Sequence, residues 1–284
     1  MPRSEPIRFH FNRWDRLCLR SIVGLVKLDA MDLVDEYKRQ ARWRPWPVVV
    51  RALPPITGRT ILDLGCAVGD QAAELVAHGA RVIGVDANED LLGEARSRGL
   101  ANADFRAADL RATLPVTEPV DGLWCSFAAA YFTDLPAALE RWATHLRPGG
   151  WMALTEIDDL FGHEPLPDAT KSVFAAYARD ALAARRYDFH MGRKLRQYLE
   201  RSGFAVSTVL TLEDDELSFT GPAQPAVLDA WRNRLDRMRR LHDFCGPRFD
   251  QVRAEFLDCL ASAEHRSIAK VYCCIGTRQD APIR

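Results

Sequence analysis

The sequence predicts a doubly wound α/β fold built on a mostly parallel, seven-stranded sheet. From residue 59 onward, short apolar runs alternate with amphipathic segments, which is typical of a parallel sheet with helices on both faces. Two late apolar runs joined by a long helical stretch indicate an antiparallel edge. The chain has 284 residues, of which 48% are hydrophobic, so a sizeable core can form.

The residues before this alternation differ in composition. Residues 1–50 are rich in aromatic and basic side chains, and their apolar residues recur at loosely helical spacing. Prolines break the chain before the first strand. We therefore predict an N-terminal helical cap over residues 1–50, acting as a lid or as an interface, and a ligand-binding domain over residues 51–284.

Seven apolar runs are the candidate strands. They are Thr60–Leu64, Arg81–Val85, Asp104–Ala107, Gly122–Ser126, Trp151–Thr155, Phe204–Leu212 and Ile268–Ile275. Helix-like segments lie at Gln71–Ala77, Glu89–Arg98, Leu135–Leu146, Asp168–Arg185, Arg193–Arg201 and 223–263. The later helices form two insertions, near 157–200 and 220–265, which we expect to cover the ligand cleft.

Charge and cysteine content argue against several classes of protein. A formal net charge of −1 is unlike that of a general nucleic-acid binder. The arginines from Arg232 to Arg240 are interrupted by acids and follow an apolar stripe, which favours a solvated helix face. The seven cysteines contain no C-x-x-C pair, so we expect reduced, mostly buried thiols and no zinc site.

No targeting or membrane segment is expected. The most apolar stretch near the N-terminus, Ser21–Val26, is too short for a signal peptide and is soon followed by charges. No window approaches the roughly 20 apolar residues that cross a bilayer. We therefore predict a cytoplasmic protein without a membrane partner, as a monomer or a homodimer.

The segment Ile61–Asp70 carries the chemistry. It runs from an apolar strand through a glycine turn into a helix whose first N–H groups are free. Gly65 permits a tight turn or the close approach of a ligand, and Gly69 lets the helix pack near the strand. Asp86 ends the next strand about 20 residues later, where a carboxylate can accept hydrogen bonds from ribose hydroxyls. These features predict a nucleoside site at the carboxyl ends of the strands.

Five segments in order resemble the motifs of class I S-adenosylmethionine (SAM)-dependent methyltransferases. They are Asp63-x-Gly65-x-Ala67-x-Gly69, with alanine in place of the usual middle glycine, Val85-Asp86-Ala87-Asn88, Ala107-Ala108-Asp109-Leu110, Asp121–Phe127 and Leu146–Trp151. The resemblance covers roughly residues 59–156 and implies a Rossmann-like, SAM-binding domain.

This resemblance implies SAM as the cofactor, S-adenosylhomocysteine (SAH) as its product, and a set of cofactor-binding residues. The set comprises Asp63, Gly65, Cys66, Ala67, Gly69, Asp86, Ala87, Asn88, Leu91, Ala108, Asp109, Leu110, Ser126, Phe127 and Tyr131. Within it, Asp63 is expected near the methionine amino group and Asp109 near the adenine amino group. Other interpretations stay open, since Asp109 could cap a helix, Cys66 could fill space and the two aromatic residues could belong to the core.

A nicotinamide-dependent dehydrogenase would also need a glycine turn and a strand-end acid. Such an enzyme normally has G-x-G-x-x-G for the pyrophosphate, whereas Ala67 and Asp70 occupy two of the key positions here. An acidic residue is unfavourable beside a pyrophosphate but compatible with the sulfonium and amino groups of SAM. The sequence therefore favours SAM over a dinucleotide.

Three residues are candidates for a catalytic acid or base. Glu156 and His163 follow the fifth strand, at the sheet edge that carries the cofactor motifs, and His190 lies in the insertion beyond it. His163 is the strongest candidate because the ordinary pKa of histidine lies near neutrality. An ordinary loop histidine is the competing interpretation. No metal-ligand cluster stands out, so we expect no metal.

The predicted reaction is direct, in-line transfer of a methyl group to a small-molecule acceptor, such as a secondary metabolite or a cofactor precursor. Sulfonium is a good leaving group, so the enzyme mainly aligns and desolvates the reactants. The near-neutral charge and the apolar, aromatic covering segments favour a small acceptor over nucleic acid. A tRNA or protein methyltransferase and a non-catalytic SAM-binding protein remain alternatives.

Overall fold

The computed structural model describes residues 30–279, and the structural statements below concern that part of the chain. Its strands are β1 Thr60–Leu64, β2 Arg81–Asp86, β3 Ala103–Ala107, β4 Val120–Ser126, β5 Leu146–Asp158, β6 His163–Glu164, β7 Phe204–Leu212, β8 Arg266–Ser267 and β9 Lys270–Arg278. Seven of them form the main sheet in the order β3-β2-β1-β4-β5-β9-β7, and β6 pairs with β8 in a separate sheet. The predicted seven-stranded α/β fold is confirmed.

The strand order creates the ligand-binding edge. β1 to β5 pair in parallel, whereas β9 runs antiparallel to both β5 and β7, which confirms the predicted antiparallel edge. The order of the strands reverses between β1 and β4. At such a point the connecting helices leave on opposite faces and the carboxyl ends of the strands open into a crevice.

The helices are α1 Ala30–Ala41, α2 Trp46–Ala52, α3 Asp70–Ala77, α4 Glu89–Ser97, α5 Leu135–Ala143, α6 Asp168–Ala183, α7 Leu195–Arg201, α8 Pro225–Arg237, α9 Arg239–Cys245 and α10 Phe249–Ala261. α1 and α2 belong to the predicted cap, of which residues 1–29 lie outside the described part. α6 and α7 lie in the first predicted insertion, and α8 to α10 lie in the second.

The core lies on both faces of the sheet, which explains why the strands read as continuous apolar runs. In β1, Ile61 packs into the core on one face, and Leu62 and Leu64 pack into the core on the other. The first of these cores continues through Trp231 and Phe256 of the second insertion. The insertions therefore share a hydrophobic core with the sheet and hold a fixed position above it.

Six of the seven cysteines lie in the described part, and all six are buried free thiols, as predicted. Between residues 30 and 279, no helix combines the length and the apolar character needed to cross a bilayer. The same residues contain no group of three or more side chains suited to hold a metal ion.

Candidate active site

The turn between β1 and α3 is tight and left-handed at three residues. Gly65, Ala67 and Gly69 have φ angles of 77°, 44° and 77°. The N–H of Gly65 donates to the carbonyl of Val85 at 2.8 Å, and a Cβ on Gly65 would lie 3.1 Å from that of Ala128. The positive φ of Ala67 explains why glycine is usual at this position, since a left-handed backbone is unfavourable for a residue with a Cβ.

Asp86, at the end of β2, joins the turn to the start of α4. One carboxylate oxygen accepts from the N–H of Ala67 at 3.0 Å, and the other accepts from the N–H of Asn88 at 2.9 Å. Burial raises the pKa of Asp86, although these N–H donors oppose the shift. A carboxylate can accept about four hydrogen bonds, so acceptor capacity remains for ribose hydroxyls. The structure thus brings together the glycine turn and the strand-end acid that the spacing paired.

Asp63 presents an unsatisfied buried oxygen beneath this turn. It is 1% exposed, its Oδ1 accepts from the side chain of Gln71 at 2.8 Å, and its Oδ2 has no partner among the described residues. Burial, with the nearby Asp86 and Asp70, raises the pKa of Asp63 to about 8. An orphaned carboxylate oxygen fits a cationic group, and the amino group of SAM is one.

The side chain of Asn88 is occupied by helix capping. It accepts from the N–H of Asp90 at 2.9 Å and from that of Leu91 at 3.2 Å, which begins α4. Leu91 is buried, and Ala87 is exposed beside Asp86. Of these predicted cofactor residues, Ala87 is free to face a ligand at this edge, whereas the N–H of Asn88 donates to Asp86 and its carbonyl accepts from the N–H of Leu92.

The segment after β3 forms a side-chain-capped turn. Asp109 accepts from the N–H of Arg111 at 2.8 Å, and its side chain is 47% exposed. The N–H of Ala108 donates to the carbonyl of Asp86 at 3.0 Å, and the indole of Trp142 donates to the carbonyl of Leu110 at 3.1 Å. Both interpretations of Asp109 are compatible with this geometry, since one oxygen caps a turn and the other is available to adenine.

The segment after β4 forms the next wall of the crevice. Phe127 has a φ of 54°, and its ring lies 6.0 Å from that of Trp46 and 5.0 Å from the guanidinium of Arg44. The hydroxyl of Ser126 is buried without a described partner. Tyr131 ends the following short 3-10 turn. Both aromatic residues therefore lie at the sheet edge next to the glycine turn.

Glu156, a predicted catalytic residue, is bonded to the backbone rather than free. It is 0% exposed, and its oxygens accept from the N–H of Ala130 at 3.0 Å and from that of Ile157 at 3.2 Å. Burial raises the pKa of Glu156 to about 8. Its contacts are those of a positioning residue that holds the turn carrying Tyr131.

His163 lies in an aromatic core, and this placement does not support its predicted role as general base. It is 2% exposed, its Nδ1 is 3.0 Å from Nε2 of His265, and its ring packs against those of Trp231 and Phe256. Burial, with a further contribution from His265, lowers the pKa of His163 to about 3. A base this weak and this enclosed has the properties of a structural side chain.

His190 lies beside the carboxyl end of β5. Its Nδ1 is 3.8 Å from Oδ1 of Asp158, and its N–H donates to Asp188 at 3.0 Å. Asp158 is already held by Arg193, whose Nε donates to it at 2.7 Å. The catalytic assignment of His190 stays a prediction.

The sequence analysis missed a largely buried ion network that reaches the crevice through Arg44, which lies over the ring of Phe127. Arg44, after α1, bonds to Asp214 at 2.8 Å and to Glu216 at 2.6 Å. Arg234 of α8 bonds to the other oxygen of Glu216 at 2.5 Å. Arg237 pairs with Glu36 of α1 in the same way. The network joins the cap, the segment after β7 and the second insertion.

The interpretation of Arg232–Arg240 as a solvated face is therefore wrong for Arg234 and Arg237. Arg234 follows the buried Trp231 by three positions, and residues three apart lie on the same side of a helix. That spacing is the signal that could have identified Arg234. The carboxylates that bind it could not be identified, because they lie on a different element.

Tyr187 is a second residue that the sequence analysis missed. Its ring packs edge-to-face on that of Tyr131, with centroids 5.0 Å apart. The next residue, Asp188, donates its N–H to the carbonyl of Ala130 at 2.9 Å, which holds the first insertion against the turn after β4. The wall of the crevice therefore includes the insertion as well as the sheet edge.

Comparison with known proteins agrees with this geometry. Residues 61–150 match the family model described as "Methyltransferase domain". The chain is 34% identical over 126 residues to the trans-aconitate 2-methyltransferase of Azoarcus sp., across 44% of this chain and 47% of the relative. It is 37% identical over 119 residues to the nocamycin O-methyltransferase of Saccharothrix syringae, across 38% of this chain and 42% of the relative. The chain thus matches less than half the length of these relatives.

Among solved structures, one from Bacillus halodurans described as a methyltransferase superposes with a TM-score of 0.56 at 15% identity, over 84% of this chain and 99% of that one. This likeness concerns the fold. Residues 61–150 therefore match a methyltransferase domain, and the described part of the chain shares the fold of this solved structure.

Proposed function

We propose that this chain transfers a methyl group from SAM to a small-molecule acceptor by direct in-line displacement. The observation that carries the proposal is the bond between the carboxylate of Asp86 and the N–H of Ala67, at the point where the strand order reverses. That bond fixes a glycine turn and an acid in the arrangement suited to a ribose.

The side chains around this bond each contact a different part of SAM. Asp86 accepts from the ribose hydroxyls, and the orphaned Oδ2 of Asp63 accepts from the methionine ammonium. Asp109 is available to the adenine amino group, and Phe127 and Tyr131 enclose the methyl end. When bound, SAM supplies a methyl group on a positively charged sulfur that leaves readily. The protein excludes water and aligns the acceptor with the carbon–sulfur bond.

A small acceptor is favoured by the cover over the crevice. The ion network joins α1, the segment after β7 and α8, and its Arg44 lies over the ring of Phe127 at the sheet edge. Arg232, Arg234 and Arg237 are each paired with a carboxylate, which weakens the case for a basic surface that binds RNA. The two relatives described above are named for small acceptors.

Calorimetric titration with SAH tests the cofactor site. Asp86→Asn keeps the shape of the side chain and removes its charge, and we expect the affinity for SAH to fall about 10-fold to 100-fold, as for the loss of a charge-assisted hydrogen bond. Asp90→Asn is the matched control, because Asp90 is exposed on α4 only four positions away. Equal affinity in Asp86→Asn and the unmodified chain, or no binding of SAH at all, would contradict the proposal.

A further inference from the structure

Arg234 of α8 is a largely buried cation, with a side chain that is 22% exposed. It shares Glu216 with Arg44, whose guanidinium lies 5.0 Å from the ring of Phe127. The guanidinium of Arg234 is therefore tied to the part of the crevice that is assigned to the methyl end of SAM.

Arg234 has one donor that the described residues do not use. Its Nη2 donates to Glu216, whereas its Nε has no partner among the described residues. Its guanidinium lies over the indole of Trp231, with the central carbon 5.2 Å from the ring centroid, so its plane is fixed by packing. A guanidinium presents five N–H donors in a planar fork that matches a carboxylate. Nη2 holds Glu216, and the unpartnered Nε–H is available to an anion.

The hydroxyls of Tyr131 and Tyr187, whose rings pack 5.0 Å apart, are donors at neutral pH. Burial raises the pKa of Tyr131 and of Tyr187 above the ordinary value of 10. Both side chains therefore keep their protons, and a neutral hydroxyl can donate to an acceptor oxygen but cannot remove a proton from it. Tyr131 and Tyr187 thus complement the guanidinium as donors to an anion.

Two of the three predicted bases are engaged elsewhere. Glu156 accepts from backbone N–H groups, and His163 is enclosed by aromatic rings. An acceptor that must lose a proton would need the third, His190, whose Nδ1 has no hydrogen-bond partner among the described residues and lies 3.8 Å from Asp158. An acceptor that arrives as an anion does not, because its oxygen is already nucleophilic.

Building on the proposed function, we propose that the acceptor is a small organic carboxylate, bound by the unpartnered Nε–H of Arg234 with Tyr131 and Tyr187 as neutral donors. A carboxylate oxygen forms a bond to the methyl carbon, the carbon–sulfur bond breaks, and its electron pair remains on sulfur. The sulfonium becomes the neutral thioether of SAH, the carboxylate becomes a methyl ester, and no proton is transferred.

Paired acceptors test this assignment. Benzoate, succinate and trans-aconitate are each assayed beside the corresponding amide, with SAH formation as the readout. The unmodified chain is compared with Arg234→Gln, Tyr187→Phe and the control Arg232→Gln, which changes an arginine of the same helix that pairs with Asp229 at the surface. The affinity of each variant for SAH is measured by calorimetry, which reports whether the fold and the cofactor site are intact.

We expect at least one acid, and none of the amides, to form SAH. Arg234→Gln should raise the KM for that acid about tenfold or more, as for the loss of a charge-assisted hydrogen bond. Tyr187→Phe should raise the same KM severalfold, and Arg232→Gln should leave it unchanged. If Arg234→Gln no longer binds SAH, the KM of Tyr187→Phe for the acid is the measurement that tests the carboxylate assignment.

Three results overturn the carboxylate assignment while leaving the proposed function intact. They are methylation of the amides as readily as the acids, unchanged KM values in both Arg234→Gln and Tyr187→Phe, and SAH binding by a chain that methylates none of the acids. Failure of the unmodified chain to bind SAH overturns the proposed function itself.

Discussion

Asp63 should release a proton when SAM or SAH binds. Burial raises its pKa to about 8 in the free protein, so about nine tenths of the molecules hold this carboxyl protonated at pH 7. A ligand ammonium at the unpartnered Oδ2 favours the charged form and lowers the pKa. Binding at pH 7 should therefore release up to about 0.9 proton, and binding at pH 9 should release about 0.1 or less because the carboxyl is already ionised.

Calorimetry in buffers with different ionisation enthalpies measures this release directly. The observed binding enthalpy at pH 7 is plotted against the ionisation enthalpy of phosphate and of Tris, and the slope is the number of protons transferred. Asp63→Asn should remove most of the slope, whereas Asp90→Asn, on the exposed face of α4, should keep it. A slope of zero in the unmodified chain, or an undiminished slope in Asp63→Asn, refutes the ammonium contact.

Two further predictions concern the buried polar groups away from the cofactor. Glu216→Gln should lower the free energy of unfolding by about 3–5 kcal/mol, because Arg44 and Arg234 would share an uncharged partner. Urea denaturation measures this loss, with Asp229→Asn at an exposed position as the control. A loss equal to that of the control would contradict the prediction. Below the ordinary pKa of 6.5, the unfolded chain binds a proton at His163 that the folded chain excludes until about pH 3. The free energy of unfolding should therefore fall as the pH drops through this window. His163→Gln should weaken that pH dependence and leave kcat unchanged. Loss of kcat with an unchanged pH dependence would instead support the catalytic assignment of His163.

The parts of the fold that follow from local pattern could be predicted from the sequence. Parallel strands buried on both faces appear as apolar runs, and a turn that needs left-handed backbone appears as Gly65 and Gly69. The pairing of Asp86 with that turn follows from the spacing of one βαβ unit. Each of these features depends on residues that are close together in the chain, so a short stretch of sequence is enough to predict it.

The acceptor side could not be predicted, because its contacts join distant parts of the chain. Arg44 and Asp214 are 170 positions apart, and His163 and His265 are 102 positions apart. In the sequence, a histidine after β5 has the same appearance whether it faces substrate or packs on Phe256. The difference arises from the second insertion, whose aromatic residues enclose His163 only after the chain has folded.

The distribution of charge over the crevice has a consequence for the rate of transfer. Asp63 and Asp86 lie on the cofactor side and suit a cation, while Arg234 lies on the side covered by α8 and suits an anion. A sulfonium and a carboxylate give two uncharged products, so charge disappears as the reaction approaches its transition state. A buried site of low polarity favours such a step over the separated ions in water, where solvation of both reactants must be lost. The same site gives a neutral alcohol no such advantage, since its methylation would create a proton that neither Glu156 nor His163 is free to accept.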